Sequence, residues 1–233
     1  PRALSICLDT PLTRAARTAA GLPVPEGWGV RRGGEAPRAP KLPAIVKPAA
    51  EDASHGIDDA SVVHDLASAW ARAREVAARY GAALVEELID GREIQVAMLG
   101  RLGVQPELLP YGEIDYSALP VGAPHILTYA AKWDERSESY RRTPAIPARP
   151  LTASVEQAVR DIAARAWIAL GLAGYARVDL RVDAVRGPFV IDVNPNPDLS
   201  VGAGLALAAG RAGMTHDQLV LRILDLATPP LTR

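Results

Sequence analysis

Two short segments carry the residue types with the clearest chemical potential. In "ARVDLRVD", charged residues (Arg177, Asp179, Arg181, Asp183) alternate with apolar ones (Val178, Leu180, Val182), the period-two pattern of a strand with one buried face. In "FVIDVN", the same reading puts Phe189, Ile191 and Val193 on one face and leaves Asp192 and Asn194 on the other. A short connection at "AVRG" makes the two a hairpin, with Asp179 opposite Asp192 and Arg177 opposite Asn194. Directly opposed Cβ atoms lie about 4.5–5.5 Å apart. Two facing carboxylates repel unless a proton or a cation lies between them. A hard divalent ion held by carboxylate and carbonyl oxygens removes the conflict, and magnesium suits the set because it takes few protein oxygens and leaves positions for phosphates. The hairpin alone is equally compatible with a solvated one in which Asp179 pairs with Arg177 or Arg181 and Asp192 opens a proline turn.

The elements that must position this hairpin are legible upstream and downstream. "RRGGEAPRAPKLP" (31–43) reads as a connector between an Ala/Arg-rich N-terminal segment and the strand "AIVKP". Apolar residues from Val62 to Ala77 recur at three- and four-residue steps, predicting a helix over 58–80 that is capped by Asp58 or Asp59 and ended by Gly81. "AALVEELI" and "EIQVAML" read as strands joined by a turn at Asp90-Gly91. The region 110–150 is proline-rich, and "LTYAAKWDERSESY" reads as a short strand leading into a mobile loop. Capping boxes at Ser154/Gln157 and Thr215/Gln218 predict two more helices, ended by Gly171 and Pro229. Helices mixed with hairpins, rather than strict strand–helix alternation, indicate an α+β class with largely antiparallel sheets.

Composition narrows the partners. The 233 residues carry a net charge of −1 and are 48% hydrophobic, enough for a sizeable core and too neutral for a field that recruits nucleic acid or an anionic membrane. No run approaches the ~20 apolar residues a membrane span needs. Small molecules are the expected partners. The single cysteine, Cys7, cannot form an internal disulfide and reads as a structural thiol, and the sequence opens without a signal-peptide pattern, so the expected location is the cytoplasm.

Taken in order, "LDTPLTRAARTAAGLPVP", "AIVKPAAEDASHGI", "LVEELIDGREIQV", "TYAAKW", "GYARVDL", "IDVNPNPDLS" and "AGMTHDQLVLRILDLA" resemble the ATP-grasp superfamily, and within it the D-alanine-D-alanine ligases and their relatives. The resemblance implies an ATP-grasp fold with ATP between two antiparallel sheets, one from each subdomain, here 1–88 and 89–233. It implies that Lys47 meets the α/β-phosphates as a point charge and that "EDASHG" closes over them, Ser54 and Gly56 offering backbone N–H groups. Glu86 would accept the adenine amino group, Ile89 would contact the ring through its backbone, and Glu93 would accept from the ribose hydroxyls. Lys132 would reach the phosphates from the other side and Arg177 would steady a developing oxyanion. Asp179, Asp192 and Asn194 would hold magnesium, while Asp198 and Ser200 would shape the substrate pocket. His55, in the phosphate loop, could add a pH-dependent contact. The implied reaction is ATP-dependent amide formation through an acyl phosphate, joining a small carboxylate to an amine. A nucleotide-binding module with little catalysis is the alternative.

The sequence departs from the ligase pattern at four places. Thr10 and Trp133 stand where a lysine and a tyrosine are usual; the lysine's phosphate contact would be lost, with Arg14, one turn beyond Thr10, placed to substitute for it. Asp192 replaces a glutamate, and Ala53 replaces a serine of the phosphate loop. An N-terminal lobe of about one hundred residues, which the resemblance implies, has no counterpart in the chain and would be missing or supplied elsewhere. A homodimer is compatible with the pattern.

Overall fold

The computed structural model describes residues 2–8, 10–35, 37–51 and 53–227, with backbone only at positions 2, 8, 10 and 11. In chain order the elements are α1 (Arg2–Leu8), α2 (Thr10–Ala19), β1 (Gly27–Arg31), β2 (Ala44–Pro48), β3 (Val62–Val63), α3 (Leu66–Tyr80), β4 (Ala82–Glu87), β5 (Arg92–Gly100), β6 (Glu107–Leu108) and β7 (Gly112–Ile114). They continue with α4 (Tyr129–Trp133), α5 (Glu138–Arg142), β8 (Ala145–Pro147), α6 (Ala153–Leu170), β9 (Gly174–Asp183), β10 (Gly187–Asn194), α7 (Gly204–Arg211) and α8 (His216–Ala227). Every strand pair is antiparallel. No helix among the described residues is long and apolar enough to cross a membrane.

The strands form two sheets. The first has the order β1-β4-β2-β3 and the second β10-β9-β5-β7-β8, with β6 on the far end of β5. The first is covered by α3, whose buried face is built from Ala69, Ala73, Val76 and Ala77. Those small side chains let the helix lie close on Val46 and Val85, and Trp28 and Trp70 meet at its edge with ring centroids 5.3 Å apart. The second sheet packs Ile94, Val96, Val178, Leu180, Val190 and Val193 onto Val159, Ala163, Ala166 and Trp167 of α6. Ala16 and Leu22 join that core, so the N-terminal helices rest on the second sheet. Its opposite face divides along β5. Ala97 and Leu99 lie under α7 and α8, whereas Glu93 faces the first sheet across a cleft.

Several local expectations are corrected. Helix α3 begins at Leu66 rather than near 58, because the Asp65 carboxylate accepts from the Ser68 N–H at 2.9 Å and Val62 and Val63 pair with Ile45 and Ala44 as a strand. Helix α6 is capped by Thr152, not Ser154, and Gly171 closes it in the left-handed conformation at φ 64°. The Thr215/Gln218 box forms as expected, with reciprocal bonds of 2.8 and 3.2 Å, while Pro229 lies outside the described residues. "LTYAAKWDERSESY" is helical, not a strand with a loop: Thr128 caps α4 and Ser137 caps α5 through their hydroxyls. Asp90-Gly91 does not turn a hairpin. Strands β4 and β5 belong to different sheets, and Gly91 is the crossover, at φ 124° and so close to β9 that a Cβ would lie 2.1 Å from the Val182 carbonyl oxygen. Beside this crossover Glu87 receives Lys41 at 2.6 Å and Arg186 of the β9–β10 turn at 2.8 Å, tying the two sheets together.

The outer edge of the second sheet is held by Glu113 on β7. Its fully buried carboxylate accepts from Arg92 at 2.7 Å and from the Arg149 backbone N–H at 2.9 Å, and pairs with the Arg149 guanidinium at 2.5 Å. Burial alone would raise its pKa, but the bonds from Arg92 and Arg149 override this and lower it to about 2. Both arginines keep solvent contact, so losing the carboxylate forfeits charge-assisted hydrogen bonds rather than stranding a buried cation. Glu113→Gln should therefore cost about 1.5–3 kcal/mol in denaturant unfolding. Because the folded pKa lies below the unfolded value of about 4.3, the stabilisation is complete above that pH and is lost as pH falls toward 2. The wild-type chain should lose stability over that interval more steeply than the glutamine variant.

Candidate active site

A cleft of about 290 Å³ opens between the sheets. The first sheet contributes Lys47 from β2 and Glu86 from β4, and the second contributes Glu93, Arg177, Asp179, Arg181, Asp192 and Asn194. Ser54 and His55 arrive on the loop after β2, Lys132 on α4, and Ile89 on the crossover. Gly56 does not face this cleft: at φ 78° it packs against Pro48 and the Tyr80 ring. Asp198 and Ser200 also lie outside the cleft wall, where the Asp198 carboxylate accepts from both the backbone N–H and the hydroxyl of Ser200 at 2.8 and 2.7 Å.

The β9–β10 hairpin has the expected pairs, Asp179 with Asp192 and Arg177 with Asn194, but not the expected faces. The turn sets Gly187 opposite Asp183 and Val190 opposite Leu180, and a β-bulge at Ile191 then advances the register by one residue. Val190 and Val193, rather than Phe189, Ile191 and Val193, therefore enter the core. Phe189 instead lies under the Arg186 guanidinium at 4.9 Å. Bulges re-aim side chains in this way. An unbulged strand with the same turn would set Asp192 opposite Val178, pointing into the core.

Each acid of the cleft is engaged differently. Glu86, 2% exposed, pairs with Lys47 at 2.8 Å and with Arg14 at 3.2 Å. Burial pushes its pKa up, but Lys47 and Arg17 outweigh burial and hold it below the usual value. Glu93 accepts from the Tyr116 hydroxyl at 2.6 Å and pairs with Arg181 at 3.0 Å. Asp179 is held by the Arg177 fork, Nε to Oδ1 at 2.6 Å and Nη2 to Oδ2 at 2.7 Å. Asp192 is open to the cleft on one side and walled by protein on the others. That crowding and then the facing Asp179 raise its pKa, while Lys47 and Arg177 draw it back. Lys132 has no carboxylate within ion-pair distance among the described residues. Burial and the Arg177 charge push its pKa down.

The donor set fits a hard cation. Among the described residues no three His, Cys, Asp or Glu side chains cluster for a metal. The set is instead two carboxylates and the Asn194 amide oxygen, which also accepts from the Asn196 N–H at 2.9 Å. Each carboxylate oxygen has two acceptor positions, so the Arg177 fork leaves Asp179 further lone pairs, and the strained Asp179–Asp192 pair is what a cation would relieve.

Sequence reasoning missed part of this site. Arg181 and Tyr116 anchor Glu93, and Arg14 and Arg17 stand behind Glu86. The alternation of "ARVDLRVD" had already placed Arg181 on the face of Arg177 and Asp179. The i, i+3 spacing of Arg14 and Arg17 on α2 put both on one helix face; the resemblance tied Arg14 to the cleft as a substitute phosphate contact, not as a partner of Glu86, and gave Arg17 no place there. The Thr10 side chain and Asp52 lie outside the described residues.

Residues 20–225 match the family described as D-ala D-ala ligase C-terminus. The chain belongs to that family. Among its curated relatives, y4sG of Sinorhizobium fredii is 35% identical over 94% of this chain and 62% of its own length. A D-alanine-D-alanine ligase of Stutzerimonas stutzeri is 33% identical over 96% of this chain and 66% of its own length. The chain thus spans a little under two thirds of these family members. The D-alanine-D-alanine ligase of Bacillus anthracis, solved with ATP, superposes with a TM-score of 0.75 at 20% identity, over 97% of this chain and 67% of that one. VanG D-Ala:D-Ser ligase of Enterococcus faecalis gives 0.75 at 22% identity, over 97% and 63%. The fold is the family's ATP-grasp arrangement, two antiparallel sheets facing across a cleft.

In this family member the loop after β2 is fastened across the cleft. The Trp133 indole N–H donates to the Ala53 carbonyl at 2.9 Å, and the Tyr129 N–H to the Ile57 carbonyl at 3.0 Å. The His55 ring, bonded to Glu51 at 2.9 Å, edges onto Tyr80 with centroids 5.5 Å apart. A single hydrogen bond contributes about 1 kcal/mol. Trp133→Phe should accordingly raise amide exchange at 53–57 about fivefold while leaving exchange in β9 and β10 unchanged.

Proposed function

We propose that the chain provides the ATP site and the reacting centre of a carboxylate–amine ligase that forms an amide bond through an acyl phosphate. The observation that carries this reading is the single cleft in which Lys47, Lys132 and Arg177 face Asp179, Asp192 and Asn194. The named ligases among the relatives support it. In this reading Lys47 neutralises the α/β-phosphates, Glu86 and Ile89 bind adenine, and Glu93, steadied by Arg181 and Tyr116, takes the ribose hydroxyls. The division at 88/89 separates the two nucleotide-binding sheets, with α1 and α2 carried on the second.

A substrate carboxylate attacks the γ-phosphorus and expels ADP, and an amine then attacks the acyl phosphate and expels phosphate. Little covalent work falls to the protein. Its residues position the reactants and offset charge that spreads over phosphoryl oxygens and the tetrahedral carbon. Lys132, short of counter-ions and desolvated, is a strong partner for a transferring phosphoryl group. Arg177 is held rigid by Asp179 and so reaches a developing oxyanion without reorganising. Ser54 supplies a loop N–H to the phosphates, with Gly56 shaping the loop behind it, and Asp198 and Ser200 border the substrate. Magnesium, held by Asp179, Asp192 and Asn194, would supply neutralisation of the phosphate charge.

The test is ADP and phosphate release by the longest natural form of the chain, with Mg-ATP and a panel of amino acids that includes D-alanine, products being identified by mass. Release that depends on a particular carboxylate–amine pair is the expected result. Nucleotide binding without stimulated release would replace this reading with a binding module. Asp179→Asn should lower turnover by about a hundredfold or more while the chain remains folded by circular dichroism; retained turnover would remove Asp179 from the metal set.

A further inference from the structure

The buried arginine of α2 has no part in the scheme above. Arg17 is 1% exposed, and its Nε has no hydrogen-bond partner among the described residues. An orphaned buried donor is destabilising, and an apolar side chain of similar length would fill the space without that cost. Something specific must hold the guanidinium there.

Its Nη1 donates to the Val190 carbonyl at 3.2 Å. The Val190 N–H in turn donates to the Pro23 carbonyl at 2.8 Å. Both outward-facing backbone groups of Val190 are therefore taken by the N-terminal segment, at the residue just before the bulge that turns Asp192 toward Asp179. Strand β10 is the edge of its sheet, so no further strand fixes that bulge. The guanidinium charge also lies in the field of Glu86 and Asp192, which favour it against burial and against Arg14.

We propose that Arg17 is a positioning residue for the cation site: it pins the β10 bulge and places a fixed positive charge behind Asp192, so that this carboxylate is presented to the cleft. The inference rests on the metal reading of Asp179, Asp192 and Asn194.

The test measures Mn2+ binding, in the presence of ADP and without turnover, from the loss of the free-ion paramagnetic resonance signal. The proteins compared are the longest natural form of the chain and its Arg17→Met, Asp192→Asn and doubly substituted variants. Residues that orient metal ligands typically change affinity ten- to a hundredfold. Arg17→Met should weaken Mn2+ binding about tenfold, and it should add little in the Asp192→Asn background, because both act through one carboxylate. A merely structural arginine would lower the melting temperature and leave Mn2+ affinity unchanged, and that result overturns the proposal. If Asp192→Asn binds Mn2+ as the unsubstituted protein does, the metal reading itself fails. If Asp192→Asn weakens binding and Arg17→Met does not, only the role of Arg17 fails. Should Arg17→Met not fold, Arg17→Gln, which keeps an N–H donor and loses the charge, decides: affinity weakened more than threefold supports the proposal, and unchanged affinity overturns it.

Discussion

Asp179 and Asp192 face each other across β9 and β10, and their mutual repulsion in a crowded cleft is the constraint the surrounding structure must satisfy. Left alone, such a pair would part or take up a proton. Arg177 covers one carboxylate with both arms of its fork, which leaves the other as the less satisfied member. The bulge at Ile191 prevents Asp192 from escaping into the core register, and the apolar residues on either side of it, Val190 and Val193, hold that geometry by their own burial. The hairpin stores an unsatisfied demand for positive charge and keeps it pointed at the cleft.

The same logic runs through both walls of the cleft. Glu86 and Glu93 are buried acids that would be costly without partners, and each is tied to cations of its neighbourhood, Glu86 to Lys47 and Arg14, Glu93 to Arg181. These pairs fix side chains in advance of any ligand, so binding need not bear the entropy of ordering them. The two walls are joined at Glu87, where Lys41 and Arg186 converge beside the Gly91 crossover. Electrostatic pairing thus sets the internal shape of each sheet's face and one point of attachment between the sheets.

Much of this was legible from the chain itself. The alternation in "ARVDLRVD" identified the face shared by Arg177 and Asp179, and residue spacing located β2, α6 and α8. The bulge was not legible, because the turn and the acid pair each imply a register and the two differ by one residue. Only packing of Val190 and Val193 against α6 decides where the extra residue goes. The β4–β5 connection was misread for a related reason: Asp-Gly chemistry is that of a hairpin, and nothing local reports that the chain crosses to another sheet. The helices α4 and α5 are short, and their caps at Thr128 and Ser137 were obscured by the surrounding prolines. Arg17 was invisible as a site residue, since an arginine on an Ala-rich amphipathic helix reads as its wet face.

The departures from the ligase pattern become intelligible once the loop after β2 is considered with α4. Ala53 lacks the hydroxyl a serine would offer, and Trp133 lacks the hydroxyl of a tyrosine, so a bond made between two such side chains is not open to this chain. The indole reaches instead to the Ala53 backbone carbonyl, an acceptor that any residue at position 53 would provide. At φ 53° and 63°, Ala53 and Ser54 both occupy the left-handed region, a costly conformation for residues other than glycine. Trp133 and the Tyr129 N–H hold the loop in that conformation from across the cleft, beside the His55 contacts with Glu51 and Tyr80. The fastening of the loop is a bond to the backbone, so it depends not on what residue 53 is but on the tryptophan remaining a donor.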